Sequence, residues 1–142
     1  MIYDNFLKLS EAQAPTTGTT PSTNVIDTGV AGRSIGSGQP IELVVQVATT
    51  ATSAGASTMQ IVLQDSADNS SFANVATYPA VAVANLVAGL EMARIKLPAG
   101  LRRYIRIAYV IATADLTAGA FNAFLTLDRQ DNTAFPSGFT VS

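Results

Sequence analysis

Apolar and polar residues alternate with a period of two along several stretches of the chain, most clearly over residues 97–128. In the first half of this stretch, Ile105, Ile107, Tyr109 and Ile111 share one face, and Tyr104, Arg106, Ala108 and Val110 share the other. In the second half, Phe121, Ala123, Leu125 and Leu127 alternate with Asn122, Phe124, Thr126 and Asp128. Such alternation, rich in β-branched and aromatic residues, is typical of half-buried strands. The pattern predicts two long antiparallel strands joined by a turn over residues 115–119.

Shorter runs of the same kind predict further strands at residues 25–27, 41–47, 59–64, 72–78 and 90–97. The apolar segment 80–89 fits either a strand or a helix, and the low-complexity segment 49–57 is interpreted as a mobile hairpin loop. No convincing amphipathic helix lies between these strands. The chain is therefore predicted to be all-β, as an antiparallel β-sandwich or jelly-roll-like domain.

The domain is predicted to span residues 23–142, with a short C-terminal tail, and to follow an N-terminal arm at residues 1–22. The second part of the arm is rich in Pro, Thr and Gly, which do not favour a helix. The arm either packs back on its own domain or reaches a neighbouring subunit. Residues 1–13 lack the pattern of a signal peptide.

Composition excludes several classes of function. Charged residues make up 13% of the 142 residues, against about 25% in an average domain. A surface covered by partners and a secreted module rich in Ser and Thr both fit that value. The net charge of −2 argues against a nucleic-acid partner. No apolar run approaches the roughly 20 residues of a membrane span, and the absence of Cys excludes disulfides and thiolate metal sites.

The chain contains no His, which removes the Ser-His-Asp and Cys-His mechanisms and the zinc protease motif. An enzyme would have to use carboxylates, Lys or Tyr. No pair of acids stands out, and neither Asp27 nor Asp115 has an identifiable partner in the sequence. We therefore expect no catalytic residue, no metal and no cofactor. A small enzyme that uses carboxylates is left as an alternative interpretation, and it requires a concave pocket with two close acids.

Two loops resemble ligand sites, and each has a plainer explanation. The Gly-rich stretch 29–40 precedes a strand, whereas a phosphate loop needs a helix N-terminus after its glycines. We interpret it as a connection between sheets. The oxygen-rich stretch 64–71 lacks the regular alternation and closing Glu of a calcium loop, and Asp, Asn and Ser are common in ordinary turns.

The basic residues cluster around the start of the first long strand. They are Arg102, Arg103 and Arg106, with Arg94 and Lys96 on the preceding strand. Arg106 lies beside Tyr104 on the outer face, where an Arg can bind a carboxylate of a partner protein. The alternative is an intramolecular pair with Glu91 or Asp128. The sequence leaves both open.

Several short turn and strand motifs carry a family resemblance. They are Tyr3-Asp4, Leu9-Ser10 and Gln13-Ala14, residues 22–27, Ile35-Gly36 with Gly38 and Pro40, Leu97-Pro98-Ala99-Gly100 with Arg103-Tyr104-Ile105-Arg106, Thr117-Ala118-Gly119, and Ala123, Leu125 and Asp128. With these motifs the chain resembles the capsid cement (decoration) proteins of tailed phages, of the type found on a Bordetella podophage. The resemblance extends to about Gln130 and does not cover the tail at residues 131–142.

The resemblance implies a structural virion protein that binds the outer surface of an assembled head. It would bridge neighbouring subunits of the major capsid protein and so stabilise the expanded shell. A homodimer across a capsid two-fold axis is the simplest symmetry for such a bridge. The implied partners are thus the major capsid protein and a second copy of the chain, with no nucleic acid and no membrane.

The residues expected at these protein interfaces lie in the arm, on the outer face of the first long strand and in the tail. They are Tyr3, Phe6, Leu7, Tyr104, Arg106, Phe135 and Phe139. Deletion of residues 1–10 is expected to leave a folded domain that binds more weakly. An alternative function is a carbohydrate-binding jelly-roll module on a phage surface, with Tyr78, Tyr104 or Tyr109 as its stacking platform.

Overall fold

In the computed structural model, residues 4–29 and 40–127 are described, and they form two antiparallel β-sheets packed face to face. The predicted all-β sandwich is confirmed. The strands are β1 (Lys8–Gln13), β2 (Thr19–Pro21), β3 (Ile26–Asp27), β4 (Glu42–Ser53), β5 (Thr58–Ser66), β6 (Ala73–Thr77), β7 (Val81–Ala82), β8 (Glu91–Lys96), β9 (Tyr104–Ala112) and β10 (Leu116–Thr126). Helical structure in the described ranges consists of two 3-10 turns, Asn5–Leu7 and Val83–Asn85. No helix there is long and apolar enough to cross a membrane.

Four strands form one sheet in the order β1-β10-β4-β8. The other sheet has six strands, with the order β2-β9-β5-β6, and β3 and β7 pair with β9 and β5. Residues 42–66 and 104–126 run antiparallel to each other through both sheets, as β4 with β10 and β5 with β9. The structure is thus built on one long two-stranded ribbon that bends across the sandwich between its two sheets.

This bend corrects the prediction that β9 and β10 form a hairpin. The two strands exist, but they lie in different sheets and face each other across the core. The rings of Tyr109 and Phe121 are 5.8 Å apart between centroids. Both strands have an apolar inner face, and the sandwich buries those two faces against each other.

The segment 49–57 is also corrected, because most of it is strand. β4 continues to Ser53 and pairs there with β10, which begins at Leu116 inside the predicted turn. Gly119 permits this pairing: its φ is +139°, and a Cβ at this position would lie 2.9 Å from the Cβ of Ala51. The connections that remain, residues 54–57 and 113–115, are the two corners of the bent ribbon.

The apolar faces formed by alternate residues of the long strands are buried, with one exception. The buried core includes Leu43, Val45, Val47, Met59, Ile61, Leu63, Ile105, Ile107, Tyr109, Ile111, Phe121, Ala123 and Leu125. Leu127, expected on the same face, lies just beyond β10 and is exposed. The strands expected near residues 26, 75 and 93 are present, and the segment 80–89 contains both a short strand and a 3-10 turn.

The segment predicted as an arm contributes two strands to the sandwich. β1 pairs with β10, and β2 pairs with β9. Leu9 is fully buried, and the hydroxyl of Ser10 is hydrogen-bonded to that of Tyr109 in the opposite sheet. Residues 8–21 therefore pack on their own domain. Deletion of residues 1–10 would remove the buried side chains of Leu9 and Ser10, so the truncated domain is expected to be destabilised and not intact.

Candidate interaction surface

Arg106 is held in a row of polar side chains on the outer face of the six-stranded sheet. The register places Arg106 of β9 opposite Gln64 of β5, and Gln64 opposite Asn74 of β6. The Nε of Arg106 donates to Oε1 of Gln64 at 2.8 Å, and Nε2 of Gln64 donates to Oδ1 of Asn74 at 2.8 Å. The guanidinium also lies over the ring of Phe72, with its Cζ 3.7 Å from the ring centroid. Stacking and hydrogen bonding therefore fix the orientation of this cation.

The guanidinium of Arg106 has no carboxylate partner within residues 4–29 and 40–127. The predicted alternative of a pair with Glu91 is therefore wrong, and Asp128 lies outside the described residues. Partial burial lowers the pKa of Arg106 from its ordinary value, although an Arg stays charged at any physiological pH.

Arg103, next to Tyr104, has the carboxylate partner that Arg106 lacks. Its Nε and Nη2 donate to Oδ1 and Oδ2 of Asp27 at 2.7 and 2.8 Å, and its Cζ lies 4.9 Å from the centroid of the Tyr104 ring. The hydrogen bond from Arg103 and the one from the backbone of Gly29 lower the pKa of Asp27 to about 2. No partner for Asp27 was identifiable from the sequence, because β3 and β9 meet only in the folded chain. We call Phe72, Arg103, Tyr104 and Arg106 the arginine–aromatic surface.

A further Arg, Arg102 in the connection before β9, binds the buried Asp65 near the end of β5, and this structural role was not predicted from the sequence. Its backbone N–H and Nε donate to the carboxylate of Asp65 at 2.9 and 2.8 Å, and its Nη2 donates to the Asp65 carbonyl. Burial raises the pKa of Asp65, but the side-chain and backbone hydrogen bonds from Arg102 outweigh it and leave the pKa below its ordinary value. Asp65 follows Met59, Ile61 and Leu63 at the same alternate positions of the strand. That inward register could have predicted from the sequence that its carboxylate is buried and needs a partner.

The oxygen-rich stretch 64–71 is an ordinary turn built on Asp68. Oδ1 of Asp68 accepts hydrogen bonds from the backbone N–H of Ser71 and Ser70 and from the hydroxyl of Ser66. These bonds lower the pKa of Asp68 below its usual range. No group of three or more potential metal ligands is close together in the part of the chain that the structure describes.

Phe6 is the most exposed large apolar residue of the described ranges, at 88% exposure. It lies in the 3-10 turn before β1, where Oδ1 of Asp4 accepts a hydrogen bond from the Phe6 N–H at 2.9 Å. Leu7 of the same turn is half-buried against the core. Because β1 belongs to the four-stranded sheet, Phe6 is not part of the arginine–aromatic surface. Three predicted interface residues, Tyr3, Phe135 and Phe139, lie outside the described residues.

The three Tyr residues of the carbohydrate alternative do not form one platform. Tyr109 is a core residue with no exposure, so its place in a stacking platform is wrong. Tyr78 is half-buried and lines an apolar cavity of about 280 Å³ beside β8, whereas Tyr104 lies on the outer sheet face beside Arg103. The lining of that cavity contains no carboxylate, so it does not provide the two close acids of the enzyme alternative.

Comparison with known proteins identifies the family of this sandwich. The Bbp16 family model matches residues 9–125, which reach from the second residue of β1 almost to the end of β10. No curated protein matches the chain. The matched region is the larger part of the sequence and contains all ten strands in whole or nearly so, including the arginine–aromatic surface. The chain therefore belongs to the Bbp16 family, a Bordetella phage protein family.

Proposed function

We propose that this protein is a cement (decoration) protein of a tailed-phage head. It binds the outer surface of the expanded shell and bridges neighbouring subunits of the major capsid protein. The observation that carries the proposal is the Bbp16 family match over the whole sandwich, together with the cement-protein motifs of the sequence. The protein acts on the virion surface as a structural component, without enzymatic activity and without a nucleic-acid or membrane partner.

Two separated contact points fit a bridging role. Phe6 projects into solvent from the turn before β1, in the four-stranded sheet, and the arginine–aromatic surface belongs to the other sheet. An aromatic side chain that is exposed in the free protein can fill a pocket of a partner at little conformational cost. When one rigid body engages two sites at once, the second contact becomes intramolecular and avidity exceeds either affinity alone.

Selective binding to the expanded shell explains how such a protein stabilises a head. A ligand that binds one state and not another stabilises that state by mass action, by about 2.7 kcal/mol per site at a concentration 100 times Kd. A homodimer centred on a capsid two-fold axis would place identical contacts on two subunits. The contacts proposed for Tyr3, Leu7, Phe135 and Phe139 belong to the same hypothesis.

The proposal is tested by co-sedimentation of the purified protein with expanded and unexpanded heads that lack it. We expect saturable binding to expanded heads and a higher temperature of head disruption. The variant F6S should keep the unfolding temperature of the free protein and lose head affinity by about tenfold or more. V87S is the matched control, because Val87 is also an exposed apolar residue, at 49%, and it should bind like the wild type. Absence of binding to expanded heads would contradict the proposal.

A further inference from the structure

Arg106 has hydrogen-bonding capacity that the fold does not use. A guanidinium carries five N–H donors in a planar fork. The Nε–H is bonded to Gln64, and the terminal nitrogens have no acceptor within the described residues. The stack on Phe72 and the bond to Gln64 hold the plane of the fork. An oriented guanidinium with free terminal N–H groups is the arrangement that binds a carboxylate through two parallel hydrogen bonds.

The Asp side chains at this end of the sheet accept hydrogen bonds from groups other than Arg106. Asp27 accepts hydrogen bonds from Nε and Nη2 of Arg103, and Asp68 is bonded within its own turn. Asp65 is bonded to Arg102. The charge of Arg106 is therefore the one on this face that lacks an internal counter-ion among the described residues, and partial burial weakens its solvation.

The composition of the surface also fits a protein partner. Arg and Tyr are enriched among the residues that dominate binding energy in protein interfaces, and Lys is depleted there. The arginine–aromatic surface contains two Arg and two aromatic residues, and its members are partly buried in the free protein. Their conformations are fixed by stacking before binding, which lowers the entropy cost of association.

We propose that the arginine–aromatic surface binds an Asp or Glu side chain of the major capsid protein, whose carboxylate pairs with the terminal N–H groups of Arg106. The inference rests on the proposed function and names the chemistry of one of its contacts. A second copy of the chain is a poorer occupant, because a two-fold contact centred on Arg106 would bring the Arg106 side chains of both copies together. Like charges in an interface oppose such a contact.

The test compares R106Q, R106K and R94Q in binding to expanded heads at several salt concentrations. R94Q is the matched control, since Arg94 lies on the other sheet and is also partly exposed. We expect R106Q to bind about 10- to 100-fold more weakly than the wild type and with a weaker salt dependence. R106K keeps the charge without the fork and should fall between R106Q and the wild type. R94Q should bind within about twofold of the wild type.

A second variant, Q64E, keeps the proposal testable if R106Q does not fold. The carboxylate that this substitution introduces would lie where Oε1 of Gln64 already accepts from Arg106, and it would supply an internal counter-ion. We expect Q64E to fold and to lose head affinity by a similar factor to R106Q.

Three outcomes separate the hypotheses. If the wild type fails to bind heads, the proposed function is wrong, and so is the inference that rests on it. If the wild type binds and both R106Q and Q64E bind as tightly as the wild type, the inference is wrong and the cement function stands. If R106Q instead dissociates a dimer of the free protein without a change in head affinity, the surface is occupied by a second copy and the inference is again wrong.

Discussion

The hydrogen bond between the hydroxyls of Ser10 and Tyr109 connects β1 of one sheet to β9 of the other. Ser10 is 1% exposed and Tyr109 is fully buried, so water cannot replace a lost partner without a rearrangement. Removal of one hydroxyl leaves the other buried and unpaired, which costs about 1–3 kcal/mol. We therefore expect S10A and Y109F each to lower the free energy of unfolding by that amount.

The double variant S10A/Y109F distinguishes this hydrogen bond from general packing. When both partners are removed, no buried hydroxyl is left unpaired, and such a replacement is close to neutral. We expect the double variant to be more stable than the sum of the single effects predicts, with a coupling of about 2–3 kcal/mol.

Ser57 provides the control for this experiment. It is also 1% exposed, and its Oγ has no hydrogen-bond partner in the described structure. S57A should therefore be neutral or stabilising, in contrast to S10A. The free energies are measured by urea unfolding followed by circular dichroism, with unchanged m values as a check on two-state behaviour. Additivity of the two single effects within about 0.5 kcal/mol would refute the reasoning, as would an S57A variant destabilised as much as S10A.

Three further predictions concern pH and backbone conformation. Burial raises the pKa of the Tyr109 phenol above its usual value. The neutral phenol therefore stabilises the folded state fully below about pH 10, and this stabilisation is lost as the pH rises further. Y109F should show a shallower alkaline fall in melting temperature. The pKa of Asp65 is lowered, so its carboxylate stabilises the folded state above about pH 4, and this stabilisation is lost as the pH falls below that. D65N should be less stable than the wild type at neutral pH by about 1–3 kcal/mol, and its stability should fall less steeply in acid. An equally steep fall in acid would contradict this. G119A adds a Cβ 2.9 Å from that of Ala51, whereas the Cβ of G100A, at φ +87°, meets open space. Thermal melts should therefore show G119A to be less stable than G100A by about 1–3 kcal/mol. Equal stabilities of the two variants would reject the packing argument.

The faces of the strands were predictable because a period of two is a local property. Ile105 and Ile107 read as inward from their immediate neighbours, and they are fully buried. Strand partners were not predictable in this way. A polar turn after β9 looks the same whether the next strand returns to the same sheet or crosses to the other, and only the long-range pairing of β9 with β5 decides it.

The candidate surface was predictable in part for the same reason. The outward register of Tyr104 and Arg106 follows from the alternation, and the structure places both on the outer face. The contact with Phe72 depends on how the turn after β5 folds back, which local pattern does not specify. Asp27 and Arg103 are 76 residues apart in the sequence, so no local signal connects them.

The pairing of β1 with β10 has a consequence for the order in which the chain folds. The backbone N–H of Ala12 is hydrogen-bonded to the side chain of Asn122, 110 residues later. During synthesis, β1 and its buried Leu9 have no partner strand in their sheet until β10 has left the ribosome. Pairings of such long range make folding slow, on the order of milliseconds to seconds. We infer that the four-stranded sheet forms after synthesis of β10, so a nascent chain that stops before β10 exposes an apolar edge to aggregation.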